Sequence, residues 1–119
     1  MTRLLLMNSA MMPHEGAYQC RKITPEEARD IYREHMLCGS RIESYIGYPA
    51  TTRILSELFG SDVQISRDSC HFDDGDIALC ARLKYRVLTP AEKASGTLGG
   101  ALEDYDFYMV SYRDRFFSL

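Results

Sequence analysis

A chain of 119 residues with 45% hydrophobic and 26% charged residues is long enough for one modest core and too short for two domains. Its net charge of −3 and isoelectric point near 5.6 argue against a protein that coats polymeric nucleic acid, because such proteins draw most of their affinity from a basic surface. A small phosphorylated ligand needs only a few local arginines and remains compatible with this composition.

Cysteine spacing does not indicate a metal site. The four cysteines, Cys20, Cys38, Cys70 and Cys80, are scattered without a C-x-x-C pair, whereas a structural zinc site takes four ligands from two tight clusters. The opening run MTRLLLMNS is far too short for a signal peptide or a membrane span. We therefore expect no metal, cofactor, disulfide or membrane partner, and the cytoplasm as the location.

The first elements predict strands of an α/β fold. The stretch RLLLMN, residues 3–8, predicts a short strand buried on both faces and hence central in a sheet. Asn8 and Ser9 fall at its carboxyl end, where open α/β sheets usually bind ligands. AYQCRKI, residues 17–23, predicts a second strand.

Two helices have clear boundary signals. TPEEARDIYREHM predicts a helix in which Thr24 is the N-cap, Pro25 fills the first position and Glu27 closes a capping box. PATTRILSELF predicts a second helix that ends at Gly60, a residue suited to the position after a helix.

The turn before the second helix carries the first functional motif. Gly47 and Tyr48 precede Pro49, and Thr51 and Thr52 lie in the first helical turn. Free N–H groups and hydroxyls at a helix N-terminus form a cradle for an anion, beside which Tyr48 would stack on a base. The alternative is structural: Gly47 serves a tight turn and Pro49 starts the helix.

The second half of the chain has β periodicity. VQIS, RDSCHF, the long run IALCARLKYRV and the final DFYMVSY predict strands, with DDGD as a tight turn. The Gly-rich run TPAEKASGTLGGALED predicts a loop, whose part from Ser95 to Gly100 is a candidate for closing over a ligand. These elements predict a single α/β domain: a mixed sheet of about five strands flanked by two main helices.

Arginines supply the candidate phosphate ligands. RLKYR places Arg82, Lys84 and Arg86 at alternating positions, so that they project from one face of a strand. Guanidinium groups suit bidentate contacts to phosphate; a solvated cationic face is the alternative. Arg67, between two predicted β segments, is a further candidate.

Hydrolytic machinery is not evident. A centre that cleaves nucleotides needs a general base or a metal cluster, and His14, His35 and His71 all lie apart in sequence from the Gly-Tyr-Pro turn. His14, near the end of the first strand, is the best placed of the three. We assign no catalytic residue.

The segments LLLMNSAM, SYIGYPATTRILSELFG, SRDSCHFDDGDIALCARLKYRVLTP and EDYDFYMVSY resemble, in that order, a family of small α/β proteins of archaeal viruses and phages. The family includes the viral ring nucleases, which degrade cyclic tetra-adenylate, a signal of type III CRISPR defence. In those enzymes the catalytic His follows the Gly of the turn, as in IGHxST, and an acidic RLEEG stands where this chain reads RLKYR. Here Tyr48 replaces that His, and a phenol of pKa about 10 is a poor base at neutral pH. The resemblance therefore disfavours cleavage and favours anion binding.

The Tyr-Pro turn, DGDIALCARLKYRVLTP and EDYDF look more like another branch of that family, the Thoeris anti-defence proteins of the first type. Those proteins are phage sponges that bind the glycocyclic ADP-ribose signal of TIR-domain proteins and hold it uncleaved. The resemblance implies a non-enzymatic sponge that assembles as a dimer or hexamer in the cytoplasm of the infected bacterial host. It also implies a separate pocket for the cyclic oligonucleotides of CBASS defence.

The expected ligand-binding site is formed by residues from several of these motifs. Arg82 and Arg86 hold a pyrophosphate, and Asn8 and Ser9 donate to sugar or phosphate. The expected ligand-binding residues are Asn8, Ser9, Gly47, Tyr48, Thr51, Thr52, Arg67, Arg82 and Arg86. For the second pocket we expect Arg21 and Arg53. Two alternatives stay open: an active ring nuclease, and a protein-binding inhibitor or host regulator that needs no small molecule.

Overall fold

The computed structural model describes residues 3–9, 14–84 and 101–114. The strands are β1 (Arg3–Met7), β2 (Ala17–Ile23), β3 (Arg41–Ser44), β4 (Ile77–Leu83) and β5 (Tyr105–Arg113). The helices are α1 (Pro25–Leu37) and α2 (Pro49–Phe59), and a short 3-10 turn (Leu102–Asp104) precedes β5. The predicted α/β class, with a five-stranded mixed sheet and two main helices, is confirmed.

The strands form one sheet in the order β2-β5-β4-β1-β3. β1 pairs in parallel with both β3 and β4, and β5 runs antiparallel between β4 and β2. Leu4, Leu5 and Leu6 are at most 2% exposed, so the predicted central position of this run is confirmed. Because β1, β3 and β4 run the same way, their carboxyl ends meet at one edge of the sheet, which we call the carboxyl edge.

The helices begin and end where the sequence predicts. Thr24 Oγ1 accepts the Glu27 N–H at 3.1 Å, and the Thr24 N–H donates to Glu27 Oε1 at 3.0 Å, which completes the capping box of α1. Pro49 takes the first position of α2, and Gly60 ends that helix in the left-handed conformation at φ 69°.

Both helices pack on one face of the sheet. Tyr32 of α1 and Phe59 of α2 stack with nearly parallel rings whose centroids lie 4.2 Å apart. They belong to a core that also holds Leu4 of β1 and Leu79 of β4. Burial of apolar surface contributes about 25 cal/mol per Å², so this core fixes α2, and the turn that opens it, relative to the end of β1.

The opposite face is covered by irregular chain where the sequence predicted strands. VQIS and RDSCHF form no strand; residues 61–76, which we call the return segment, lead from α2 to β4. Phe72, which is 2% exposed, and Cys70 pack there with Leu5 and Met7 of β1. The apolar alternation that suggested β structure is explained by side chains that pack onto the sheet face, without the formation of a further strand.

Two other boundaries differ from the sequence prediction. The sequence did not predict β3, a four-residue edge strand with the composition RIES, because its charged residues have no apolar periodicity. β4 ends at Leu83, and the end of the predicted long strand, together with the loop around Ser95 to Gly100, lies outside the described residues.

The four cysteines, all within the described ranges, are free. In the described part of the chain, no helix combines the length and apolar character needed to cross a membrane.

Candidate ligand-binding site

A cleft opens at the carboxyl edge, beside the end of β1. Its volume is about 560 Å³, and its lining residues are Met7, Asn8, Ser9, Tyr45, Arg67, Asp68, Ser69 and Cys70. The topology creates it: the chain leaves β1 and β3 at this edge, and the return segment passes over both strands. Three predicted ligand-binding residues, Asn8, Ser9 and Arg67, thereby line one cavity.

Gly47 contacts Arg67, one of the residues that line this cleft. Its carbonyl oxygen accepts from Arg67 Nε at 3.5 Å, and a Cβ added at Gly47 would lie 3.1 Å from Arg67 Cγ. The φ of Gly47 is not in the left-handed region. The glycine is therefore explained by the close approach of Arg67, rather than by the tight turn that the sequence suggested.

Tyr45 forms the aromatic wall of the cleft, a role that sequence reasoning missed. Its hydroxyl donates to Glu43 Oε1 at 2.7 Å, and its N–H donates to the carbonyl of Leu6 at 2.8 Å. The hydrogen bond to the Glu43 carboxylate raises the pKa of Tyr45, so the phenol keeps its proton at neutral pH. No sequence signal identified Tyr45, because Arg3, which holds the Glu43 carboxylate in place, meets Glu43 only through the pairing of β1 with β3.

The sulfur-containing side chains of Met7 and Cys70 line the apolar part of the cleft, which we call its floor. Met7 is 5% exposed, and its sulfur lies 4.0 Å from the Cys70 thiol. Burial raises the pKa of Cys70, so the thiol is neutral. Arg67 and Asp68 also line the cleft. A guanidinium and a carboxylate together suit a ligand that carries both an anion and hydrogen-bond donors.

The predicted anion cradle at α2 is corrected by the structure. Thr51 is 1% exposed, and its hydroxyl donates to the Tyr105 hydroxyl at 3.2 Å. Thr52 is 6% exposed and donates to the carbonyl of Pro49 at 2.8 Å. The N–H groups of both threonines donate to the Tyr48 carbonyl, and Pro49 has no N–H. The hydroxyls of Thr51 and Thr52 therefore face the protein interior rather than a ligand.

Tyr48 is the N-cap residue of α2, where its side chain makes no capping hydrogen bond. It is half-buried, and it lies close enough to Tyr105 to raise the pKa of that residue, after the larger effect of burial. Tyr48 thus belongs to the surroundings of Tyr105, and it is not among the residues that line the cleft as described.

Arg82 lies one strand away from the cleft. Met7 of β1 pairs with Cys80 of β4, so Arg82, two residues beyond Cys80, is on the same face and near the same edge as Ser9, two residues beyond Met7. In the sheet register Arg82 stands opposite Asp106. Lys84 follows the end of β4 and is exposed, and Arg86 lies outside the described residues.

The residues proposed for a second pocket lie on separate elements. Arg21 is exposed on β2, the edge strand farthest from β3, and Arg53 is exposed on α2. A second pocket that uses both arginines stays a prediction.

His14, the histidine that the sequence indicated as best placed for catalysis, lies at the edge of the sheet opposite the cleft. His14 Nε2 accepts the Phe72 N–H at 2.9 Å, and the His14 ring lies 5.1 Å from the Tyr112 ring. The neighbouring His71 carbonyl accepts from Arg3, at the start of β1, so His14 lies opposite the carboxyl edge. Of the three histidines, all in described residues, none lines the cleft. Nor do the described ranges contain three clustered His, Cys, Asp or Glu side chains that could hold a metal ion.

Residues 4–98 match the family model described as STIV B116-like. The chain belongs to the STIV B116-like family. Two viral relatives are each 31% identical to this B116-like protein: uncharacterized protein ORF117 of Acidianus two-tailed virus, over 71% of the chain and 72% of the relative, and uncharacterized protein 26 of Sulfolobus islandicus filamentous virus, over 71% and 70%.

The fold of this B116-like protein is also similar to a solved structure, B116 of Sulfolobus turreted icosahedral virus. The TM-score is 0.67 over 92% of this chain and 98% of that chain. The sequence identity is 19%, so this likeness concerns the fold alone.

Proposed function

We propose that this B116-like protein is a viral anti-defence sponge that binds and sequesters a cyclic nucleotide immune signal without cleaving it. The ligand is glycocyclic ADP-ribose of Thoeris defence. The observation that carries the proposal is the cleft at the carboxyl edge, which brings Asn8, Ser9 and Arg67 together above an apolar floor. Ligands of α/β sheets bind at this edge.

The groups in the cleft match the parts of such a ligand. Arg67 provides charge-assisted hydrogen bonds to phosphate, and the Asn8 amide and Ser9 hydroxyl offer donors and acceptors to ribose or phosphate. Arg82, at the same edge, adds a second cation for the pyrophosphate. A cleft of about 560 Å³ falls in the range of sites that bury small molecules.

Holding a ligand makes smaller demands than cleaving it. A nanomolar dissociation constant corresponds to about −12 kcal/mol, which a few desolvated charged contacts and one stacked base supply. Catalysis requires additional stabilisation that is given only to the transition state. The position of Tyr48, where related ring nucleases carry histidine, and of His14 at the far edge supports holding over cleavage.

The biological setting is part of the proposal. The sponge acts as a homo-oligomer, a dimer or hexamer, in the cytoplasm of an infected bacterial host. It has no polymeric nucleic acid or membrane partner, and a second pocket that contains Arg21 and Arg53 takes cyclic oligonucleotides of CBASS defence.

Mass spectrometry of released ligand tests the proposal. The purified protein is incubated with filtrate from cells with an activated Thoeris system, washed free of unbound ligand and heat-denatured. Recovery of intact glycocyclic ADP-ribose is expected. A linearised product, or linear adenylates formed from added cyclic tetra-adenylate, would instead identify a nuclease. Release of no nucleotide from any filtrate would favour a protein-binding inhibitor.

A further inference from the structure

Among the described residues that line the cleft, Tyr45 is the one aromatic residue, and hydrogen bonds fix its orientation before any ligand binds. We propose that Tyr45 is the surface on which the base of the ligand stacks, and that Glu43 and Arg3 position it. The cleft would then select nucleotides over base-free phosphates of similar charge. This inference rests on the proposed function of the cleft.

Tyr45 is held at both ends. Its backbone N–H donates to Leu6 at 2.8 Å, and its hydroxyl donates to Glu43 Oε1 at 2.7 Å. Its ring also packs against the core of the return-segment face, around Met7 and Phe72. A side chain fixed in this way loses little conformational entropy when a ligand contacts it, which favours affinity.

Glu43 is itself fixed by two arginines. Its Oε1 lies 3.0 Å from Arg3 Nη1, and its Oε2 lies 2.7 Å from Arg41 Nε. Arg3 is anchored in turn by Asp76, which is 3% exposed and accepts from Arg3 Nη2 at 2.6 Å. A continuous chain of charged contacts thus runs from the start of β1 to the tyrosine in the cleft.

This arrangement decides which part of Tyr45 faces a ligand. Its hydroxyl proton is committed to Glu43, so the ring is the group that the tyrosine presents to the cleft. The sulfur atoms of Met7 and Cys70, 4.0 Å apart, continue the apolar surface, and sulfur makes favourable contacts with aromatic rings. A planar base fits this surface better than a sugar does.

The polar groups complete the selection. Arg67 and Asp68 line the same cleft as Tyr45, so a ligand whose base stacks on Tyr45 can place a phosphate at Arg67. Asp68 accepts hydrogen bonds from ribose hydroxyls or an exocyclic amine, and it repels a ligand that offers only anionic oxygens. The combination fits a nucleotide rather than a simple phosphate.

Calorimetric titrations with two probes test the assignment. Glycocyclic ADP-ribose carries a base, and inorganic pyrophosphate does not. We expect Tyr45→Leu to weaken binding of glycocyclic ADP-ribose by about tenfold or more, because stacking on an aromatic side chain contributes that much. Tyr45→Phe, which keeps the ring, is expected to stay within about threefold of the wild type. The matched control is Tyr18→Leu, with the same expectation, because Tyr18 is a half-buried tyrosine outside the cleft whose hydroxyl donates to the His14 carbonyl at 2.8 Å. Binding of pyrophosphate should not respond to Tyr45→Leu.

The outcomes separate this inference from the proposed function. If wild-type protein binds glycocyclic ADP-ribose and Tyr45→Leu binds it equally well, the stacking assignment is wrong and the sponge stands. If wild-type protein binds no nucleotide, both are overturned.

A measurement on wild-type protein avoids dependence on the fold of Tyr45→Leu. In a sample with labelled tyrosine rings, the resonance missing from the spectrum of Tyr45→Phe is that of Tyr45. Ring-current shifts from a stacked base should move this resonance and leave in place that of Tyr18, which is assigned in the same way from Tyr18→Phe. A Tyr45 resonance that stays unmoved in saturated protein would overturn the assignment.

Discussion

The Nε atom of Arg67 lies 3.5 Å from the carbonyl oxygen of Gly47, and a Cβ added at Gly47 would lie only 3.1 Å from Arg67 Cγ. This contact links the turn before α2 to the return segment, in which Arg67 lines the cleft. This contact allows the position of Arg67 to be tested without removing its charge.

Gly47→Ala should displace Arg67 and weaken ligand binding without unfolding the protein. The new Cβ would lie 3.1 Å from Arg67 Cγ, so the arginine must shift by a few tenths of an ångström. We expect a loss of affinity of about threefold to tenfold, roughly 1 kcal/mol, measured by calorimetry. Gly39→Ala is the control, since Gly39 has φ 73° and open space around it: it should cost about 1 kcal/mol of stability and leave affinity unchanged. Equal affinity of Gly47→Ala and the wild type would contradict this account of the contact.

Arg3→Met should destabilise the protein strongly. It leaves the buried carboxylate of Asp76 without its guanidinium partner, now at 2.6 Å, and breaking a buried pair in this way typically costs about 3–5 kcal/mol. Urea denaturation measures the loss. Lys22→Met serves as the matched control, because the Lys22 side chain is 66% exposed and lies 3.5 Å from Asp106; its change should stay below about 1 kcal/mol. A loss for Arg3→Met as small as that of the control would show that the network contributes little.

Glu43→Gln should remove a pH-dependent part of the stability. The hydrogen bond from Tyr45, and then the charges of Arg3 and Arg41, lower the pKa of Glu43 from its ordinary value of 4.5. A carboxyl with a lowered folded-state pKa contributes stability above its unfolded pKa and loses it as the pH falls through the folded value. The difference in free energy of unfolding between wild type and Glu43→Gln should therefore be largest near neutral pH and shrink in acid below 4.5. Denaturation curves at several pH values check this, and a difference that grows in acid would contradict it.

His14→Ala should lower stability and spare ligand binding. The buried N–H of Phe72 loses its acceptor, now at 2.9 Å, which costs about 1–3 kcal/mol. Binding should be unchanged, because His14 lies at the edge opposite the cleft. His71→Ala is the control for stability, since the His71 side chain is 72% exposed. A large loss of ligand affinity in His14→Ala would place the ligand elsewhere.

The sequence predicted the parts of the fold that depend on local signals. The capping box at Thr24, the proline at the start of α2 and the apolar run of β1 each act within a few residues, so their patterns are visible in the chain. It also predicted that Asn8 and Ser9 follow β1, which places them at the carboxyl edge, where open α/β sheets usually bind ligands.

The errors concern features that only the tertiary structure decides. Alternation around Phe72 predicted strands, but it arises from packing on the sheet face. The hydroxyl of Thr51 was expected at the surface, yet it bonds to Tyr105, 54 positions away. Tyr45 was missed because its role depends on Glu43 and Arg3, which are 40 positions apart and meet through the pairing of β1 with β3.

The central claim is that the cleft at the carboxyl edge holds a cyclic nucleotide, and a titration with purified glycocyclic ADP-ribose tests it most directly. The account predicts tight binding by the wild type, a loss of about tenfold or more in Arg67→Ala from the removed charge-assisted contacts, and intact ligand recovered afterwards. Arg33→Ala, at an exposed arginine of α1 outside the cleft, is the charge-matched control and should bind as the wild type does. Equal affinities in wild type and Arg67→Ala, or no binding at all, would contradict the account.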